Sequence, residues 1–190
     1  MDIKSYILES IETKKNILNN ELIIKSIKDI SLAIVNSYKN GGQLFTAGNG
    51  GSAGDAQHIA GEFVAKFYLD RKGLSATSLV TNTSVITAIS NDFGYEHCFA
   101  RQLESLGKKG DVFIAISTSG NSANIVNALD AAKKHGIITV GFTGMKTCDM
   151  DKFCDYIIHV PSDSTPIVQE SHIMIGHLIC GLVEETLFKP

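Results

Sequence analysis

The sequence contains few cysteines, and they lack the spacing of a structural framework. No two of them form a Cys-x-x-Cys pair, and the four are Cys98, Cys148, Cys154 and Cys180. This spacing indicates neither a disulfide framework nor a zinc knuckle. We therefore expect reduced thiols that are mostly buried.

Clusters of lysine and arginine are also absent, and the formal net charge is −3. Because nucleic-acid backbones are bound through dense positive charge, this composition argues against a nucleic-acid partner. It favours a small molecule or another protein instead.

The chain also lacks a signal-peptide core at its N-terminus and any apolar run that approaches bilayer thickness. A hydrophobic content of 44% with 19% charged residues is typical of soluble globular proteins. We expect a cytoplasmic protein without a membrane partner. Since no linker, repeat or low-complexity tract interrupts the sequence, residues 1–190 are predicted to form one domain.

Two amphipathic helices are predicted before the first strand, over residues 2–20 and 21–39. Their apolar residues recur three to four positions apart: Ile3, Ile7 and Ile11, then Ile23, Ile27, Ile30 and Ile34. Because the pair has more apolar surface than an α/β unit needs, we interpret residues 1–40 as an oligomerisation element beside an α/β core at 41–190. A cover for one face of the sheet explains the pattern about equally well.

Strands and helices alternate after residue 42. Strands are predicted at 43–47, 75–80, 112–117, 137–142 and 156–160, and helices at 52–67, 83–90, 96–106, 122–135, 150–153 and 165–187. Such alternation requires a parallel sheet covered on both faces. The predicted fold is α/β, with a doubly wound five-stranded parallel sheet and two added N-terminal helices.

A glycine-rich turn, here called the glycine turn (residues 48–51), joins the first strand to its helix. Its backbone N–H groups can converge on an anion, and Ser52 is predicted to cap the helix. On that helix His58 and Glu62 are four residues apart and therefore share a face. An anion site beside an imidazole and a carboxylate is the outline of an active site.

The glycine turn also fits the dinucleotide fingerprint G-x-G-x-x-A. That fingerprint needs an acidic residue at the end of the second strand to bind the ribose. The second predicted strand ends Leu79-Val80-Thr81-Asn82, without an acid. A dinucleotide site is therefore only weakly supported.

A second polar loop, here called the hydroxyl cradle (residues 117–122), joins a strand to a helix and reads Ser-Thr-Ser-Gly-Asn-Ser. A helix cap needs one or two hydroxyls, so four favour a phosphate site at the helix N-terminus. Since ligands of open α/β sheets bind at the carboxyl ends of the strands, both loops are predicted to line one crevice.

Two further segments are ambiguous from the sequence. Asn91 and Asp92 can bind sugar hydroxyls or form an Asx turn. In the last helix, ideal geometry places His177 about 20° from Glu170 and about 80° from Gln169. Taken alone, a histidine such as His177 is more often a core residue than a functional one.

Six motifs in order resemble one family. They are Ala47–Ser52, His58-x-x-x-Glu62, Asn91–Gly94, Gly110–Val112, Ile116–Ser122 and Gln169-Glu170-x-His172. Over almost the whole chain they are similar to the phosphoheptose isomerases of the sugar isomerase (SIS) domain family. The resemblance implies a flavodoxin-like SIS fold and a homotetramer. It also implies an aldose–ketose isomerase that converts sedoheptulose 7-phosphate to D-glycero-D-manno-heptose 7-phosphate through a cis-enediol, the first step of heptose synthesis for lipopolysaccharide or capsule.

The resemblance also implies the site residues. One zinc ion per subunit would be bound by His58, Glu62, Gln169 and His177. We assign Glu62 as the base at carbon and His177 as the acid–base group at the oxygens. Substrate contacts would come from Asn49, Gly50, Gly51, Ser52, Glu62, Asn91, Asp92, Ser117, Thr118, Ser119, Ser122 and Gln169.

The chain departs from the family pattern at two positions. Lys66 stands where arginine is frequent, and Ile167 stands where a basic residue often precedes the glutamine. Either change could alter substrate preference. One close relative in the family regulates the replication initiator and lacks the helix glutamate, so the presence of Glu62 favours the enzyme over that alternative.

Overall fold

The computed structural model describes residues 2–189. Its α-helices are α1 (Ile3–Leu18), α2 (Glu21–Lys39), α3 (Gly51–Val64), α4 (Thr83–Phe93), α5 (Ala100–Leu106), α6 (Ala123–Lys134) and α7 (Thr165–Phe188). Its strands are β1 (Leu44–Gly48), β2 (Ala76–Ser78), β3 (Val112–Ile116), β4 (Ile138–Thr143) and β5 (Tyr156–His159). Short 3₁₀ helices cover Tyr95–His97 and Asp149–Lys152.

All five strands are parallel and lie in the order β2-β1-β3-β4-β5. This is the flavodoxin-like order, in which the strand sequence reverses between β1 and β3. The predicted fold class is therefore confirmed. Gly48 at the end of β1 pairs with Ile116 at the end of β3, so the glycine turn and the hydroxyl cradle begin side by side.

The helix predicted at 96–106 is wrong in its first half. A 3₁₀ turn occupies Tyr95–His97, and the α-helix starts only at Ala100. Cys98 and Phe99 between them are at most 1% exposed and pack in the core beneath α6. Burying these two side chains takes precedence over continuing the helix. The helix predicted at 150–153 is likewise a single 3₁₀ turn.

Side chains of the central strands alternate between two apolar clusters, one on each face of the sheet. Leu44, Val112 and Ile114 contribute to the cluster under α2, α3 and α7. Phe45 and Phe113 contribute to the cluster under α5 and α6. Because both faces are covered, the central strands β1 and β3 are fully buried, whereas the edge strands β2 and β5 are only partly buried.

The two N-terminal helices have different environments. The four predicted apolar residues of α2, Ile23 to Ile34, are at most 7% exposed and belong to the core. On α1, Ile3, Ile7 and Ile11 are 71%, 52% and 44% exposed. The sheet-cover interpretation therefore describes α2. On α1 only the C-terminal end is covered, where Ile17 is 3% exposed and joins the core, and the three predicted isoleucines stay exposed. A role of α1 in oligomerisation stays a prediction.

Helix α7 corrects one expectation, because its length and composition alone would allow it to cross a membrane. Half of its most apolar window is buried inside the protein, where α7 packs against α2 and α3. That is the environment of a core helix.

The cysteines are free, as predicted, and three of the four are buried. Burial raises the pKa of Cys154 and of Cys180 to about 12, so both thiols stay protonated near neutral pH.

A buried ion pair holds the segment after α3 against α7. Arg71 Nε donates to Glu184 Oε1 at 2.9 Å, and both side chains are at most 3% exposed. Glu184 also accepts from the backbone N–H groups of residues 67–69. Arg71 donates to the carbonyls of Glu62 and Phe63, which end α3. Both charges are thus hydrogen-bonded on several sides, the condition under which a buried pair is stable.

Replacing Glu184 by Gln should destabilise the fold strongly, because it leaves the Arg71 guanidinium buried without a counter-charge. We expect a loss of about 3 kcal/mol or more in the free energy of unfolding, measured with urea. The matched control is Glu185→Gln, which removes an exposed pair with Lys189 and should change stability by less than about 1 kcal/mol. Equal effects of the two variants would contradict the assignment.

The same pair predicts a pH dependence of stability. Burial alone would raise the pKa of Glu184, but its backbone donors and Arg71 outweigh burial and lower it below 4.5. A carboxylate with a depressed pKa stabilises the fold above its unfolded pKa, and this contribution is lost as pH falls through the folded value. Glu184→Gln should therefore show a smaller loss of stability below pH 4.5 than the parent protein.

Candidate active site

The glycine turn depends on two glycines. Gly50 adopts φ 56°, and a Cβ on Gly48 would lie 2.5 Å from the carbonyl oxygen of Ser52. The predicted N-cap is wrong, since Gly50 occupies that position and Ser52 is a buried residue inside α3. No side chain caps α3, so its N-terminal end is open to an anion.

Three predicted site residues form what we call the His–Glu–His cluster: His58, Glu62 and His177. Glu62 Oε1 lies 3.1 Å from His58 Nε2, as the spacing on α3 predicts. His177 Nε2 of α7 lies 2.9 Å from the same nitrogen. One ligand atom from each residue lies within 4.8 Å of the others. Two imidazoles and a carboxylate at this separation can hold a zinc ion, whose tetrahedral ligands stand about 3.3 Å apart.

Close packing of two helices brings the cluster together. Gly176 precedes His177, and a Cβ on Gly176 would lie 2.7 Å from Ile59 Cδ1 of α3. The missing side chain therefore lets α7 approach α3 at the level of the cluster. On its other side the His177 ring stacks on Phe67, with ring centroids 5.7 Å apart.

Gln169 of α7 is hydrogen-bonded to Asp55, whose pKa is influenced by the two histidines of the cluster. Gln169 Nε2 donates to Asp55 Oδ1 at 2.5 Å. Asp55 lies one helical turn before His58 on α3. Because the nitrogen of this amide is engaged, its oxygen is the atom left for a ligand. Burial raises the pKa of Asp55, opposed by the Gln169 hydrogen bond and by His58 and His177. Nothing in the sequence distinguishes Asp55 as a site residue beyond its place on α3.

Glu170 has a different partner from the one that ideal helix angles indicate. Lys14 of α1 lies 2.5 Å from its carboxylate, and Ser10 also donates to it. Burial alone would raise the pKa of Glu170, but the hydrogen bonds and charge of these α1 residues lower it. The companion of His177 is therefore His58, and Glu170 ties α1 to α7.

The core histidine of α7 is His172 and not His177. His172 is fully buried with Nε2 3.2 Å from the carbonyl oxygen of Thr143, and burial lowers its pKa to about 4. His177 is only partly buried and lines a groove of about 540 Å³. The sequence alone could not distinguish the two.

The hydroxyls of the cradle bond to one another. Ser117 Oγ lies 3.0 Å from Ser122 Oγ and 3.4 Å from Ser119 Oγ, and none of them caps α6. Gly120 adopts φ 67° where a Cβ would lie 2.1 Å from Cys148 Sγ. Thr118 and Ser119 line a small cavity of about 110 Å³. Because none of these hydroxyls caps α6, they favour a phosphate site at the helix N-terminus over a simple cap.

Asn91 and Asp92 lie in the last turn of α4, which ends at Phe93 rather than at Ser90. Asn91 Nδ2 donates to Asp92 Oδ1 at 2.8 Å, and both side chains are exposed. They belong to a helix and not to the Asx turn that the sequence also allowed. The next segment reaches the glycine turn, because Tyr95 Oη donates to Asn49 Oδ1 at 2.8 Å.

Comparison with known proteins gives one consistent result. The SIS domain family model matches residues 5–144. A phosphoheptose isomerase from Aneurinibacillus thermoaerophilus is 55% identical over 98% of this chain and 94% of its own. The structure of a phosphoheptose isomerase from Francisella tularensis has a TM-score of 0.92 at 32% identity, with 96% of both chains covered. That of the enzyme from Neisseria gonorrhoeae has a TM-score of 0.90 at 33% identity, over 96% of this chain and 97% of that one.

Substituting Gly176 by Ala should separate α3 from α7 and weaken zinc binding. We expect a roughly 10-fold lower zinc affinity, because the new Cβ pushes against Ile59 and moves His177 away from His58. Chelator competition measures the affinity, and thermal unfolding reports stability alongside.

The matched control is Gly181→Ala on the same helix. Its Cβ would meet Phe67 and Tyr68 at ordinary distances of 3.5 and 3.6 Å. This variant should bind zinc normally and gain about 0.5–1 kcal/mol from helix propensity. Normal zinc affinity in Gly176→Ala would show that the helix approach does not set the cluster geometry.

Proposed function

The chain belongs to the SIS domain family, and we propose that it is a phosphoheptose isomerase that converts sedoheptulose 7-phosphate to D-glycero-D-manno-heptose 7-phosphate. The observation that carries the proposal is the His–Glu–His cluster at the α3–α7 contact. Nearly full-length relatives that are named phosphoheptose isomerases support the choice of substrate.

An aldose–ketose isomerase moves one proton between C1 and C2 and others between O1 and O2, through a cis-enediol. Glu62 supplies a carboxylate for the carbon-bound proton, and its contact with His58 Nε2 at 3.1 Å restricts its orientation. His177 serves the oxygens, and Phe67 and His58 restrict its ring from two sides.

The residues present fit a zinc ion, with His58, Glu62 and His177 as ligands and the Gln169 oxygen as the fourth. When bound, the ion would act as a Lewis acid at the sugar oxygens. Nε2 of His177 lies in the cluster, and this nitrogen can carry a proton only while it is not a ligand.

The substrate lies across both loops in this proposal. The phosphate binds the hydroxyl cradle at the N-terminus of α6, through Ser117, Thr118, Ser119 and Ser122. The sugar contacts the glycine turn, Ser52, and Asn91 and Asp92 of α4. Of the two departures from the family pattern, Lys66 is exposed, whereas Ile167 is fully buried and contributes only apolar packing.

We further propose that the chain is a homotetramer in which α1 contacts other subunits. The exposed isoleucines of α1 support this, as does the groove beside His177, lined by Ile173, Met174, Leu178 and Leu182. An apolar groove next to catalytic residues is best explained by completion of the site across a subunit boundary. We place the reaction in the cytoplasm, as the first step towards the heptose of lipopolysaccharide or capsule.

Glu62→Gln tests the chemistry. The variant keeps the shape of the side chain but loses the base, so turnover of sedoheptulose 7-phosphate, followed by NMR, should fall roughly 10²- to 10⁴-fold while substrate still binds. Zinc content is measured beside the rate, because an amide is the poorer ligand.

The control for this test is Glu170→Gln, which changes the other glutamate near the cluster. Because Glu170 is paired with Lys14, this variant should keep turnover close to that of the parent. A larger loss in Glu170→Gln than in Glu62→Gln would assign the carbon base to Glu170. A parent protein that shows no turnover with or without zinc, yet binds a replication initiator, would favour the regulatory alternative.

Positive charges introduced on the exposed apolar face of α1 test whether this helix contributes to the tetramer. In light scattering the parent should be a tetramer of 20.5-kDa chains, and Ile7→Lys with Ile11→Lys should give smaller species. Glu9→Lys, also exposed on α1, is the control and should leave the tetramer intact. A variant shortened from the N-terminus must lose no more than residues 1–20, because α2 is part of the core. A tetramer that survives both isoleucine changes would place the interface elsewhere.

A further inference from the structure

We propose that Asn124 is a positioning residue that fixes the side-chain amide of Asn49 towards the substrate. Asn124 is not among the residues that the motifs single out, and the inference rests on the proposed function only in taking Asn49 as a substrate contact. It concerns how the glycine turn and the hydroxyl cradle are held together.

The two asparagines form a reciprocal pair. Asn49 Nδ2 donates to Asn124 Oδ1 at 2.9 Å, and Asn124 Nδ2 donates back to Asn49 Oδ1 at 2.9 Å. Asn124 is 3% exposed and lies in the first turn of α6, two residues after Ser122. A buried amide with this pairing is held in one rotamer, since any rotation leaves polar atoms unsatisfied.

The hydrogen bonds that Asn49 already makes determine which atoms of its side-chain amide can bind substrate. Its Oδ1 accepts from Asn124 and from Tyr95, which uses both lone pairs of the carbonyl oxygen. Its Nδ2 uses one of two hydrogens on Asn124. One N–H remains, so Asn49 can donate to a substrate oxygen but cannot accept from a substrate hydroxyl.

The same contact links three loops at one point. Asn49 belongs to the glycine turn, Asn124 follows the hydroxyl cradle, and Tyr95 follows the segment with Asn91 and Asp92. Nothing in the parallel register alone holds these loops once the strands have ended. The reciprocal pair therefore sets the distance between the glycine turn and the cradle, across which a sugar phosphate has to fit.

A double-mutant cycle tests whether Asn124 acts through Asn49. Asn124→Ala should raise the KM for sedoheptulose 7-phosphate about 3- to 10-fold, the worth of one misplaced hydrogen bond, with a smaller change in kcat. In an Asn49→Ala background the same change should have almost no further effect on KM, because its target is gone. An undiminished effect in that background would overturn the proposal and make Asn124 a structural residue only.

Asn127→Ala is the matched control. Asn127 lies on the next turn of α6 and donates to the Glu96 carbonyl at 3.0 Å, so it ties α6 to the Tyr95–His97 turn without touching Asn49. Its loss should change KM less than 2-fold. A similar rise in KM for Asn127→Ala and Asn124→Ala would show that any weakening of α6 suffices, and would contradict positioning.

Crystal structures of the parent and of Asn124→Ala give a readout that does not depend on activity. The Asn49 amide should rotate or become disordered in the variant while the cradle backbone stays in place. An unchanged Asn49 amide would overturn the proposal. If the parent turned over no sugar phosphate, the proposed function would fail, and this comparison would still decide whether Asn124 positions Asn49.

Discussion

The close contact between α3 and α7 at Gly176 is the constraint on which the site depends. Helix α3 carries His58 and Glu62, and α7 carries Gln169 and His177. A side chain at position 176 would push the two helices apart and so change the distances among all four residues. Both helices bury their apolar faces in the same cluster on the sheet. The Arg71–Glu184 pair holds the other end of this contact. Core packing and site geometry are thus one arrangement, and the interior near Ile59 cannot be repacked without moving the cluster.

Much of the fold was predictable because its signals are local. Each strand and the helix after it are adjacent in sequence, and their periodicity identifies both, so five parallel strands follow from the pattern. The His58–Glu62 pair was predictable for the same reason, since four residues on one helix fix its geometry. The partner of Glu170 was not, because Lys14 lies 156 residues away in the sequence. Whether His172 or His177 is buried also depends on residues from other elements, and the angular positions along α7 do not predict these contacts.

The N-terminal helices show the limit of amphipathic patterns. Helices α1 and α2 have isoleucines at similar spacing, yet one set is buried in this chain and the other is exposed. Periodicity says that a helix has an apolar face and does not say which molecule covers it. The N-cap of α3 was predicted wrongly because residue type, like periodicity, does not include the neighbours. Serine often caps helices, but Ser52 lies inside α3, where Gly48 closely approaches its backbone carbonyl.

The doubly wound sheet separates two kinds of residue. The ionisable groups of the cluster come from α3 and α7 on one face, whereas Ser122 and Asn124 stand at the start of α6, which packs on the other face. The two apolar clusters do not share side chains, so a substitution under α6 removes no side chain from the packing under α3 and α7. The scaffold is modular in this sense. Evolution can therefore change the residues at the start of α6 while the ionisable groups of the cluster on the other side stay the same.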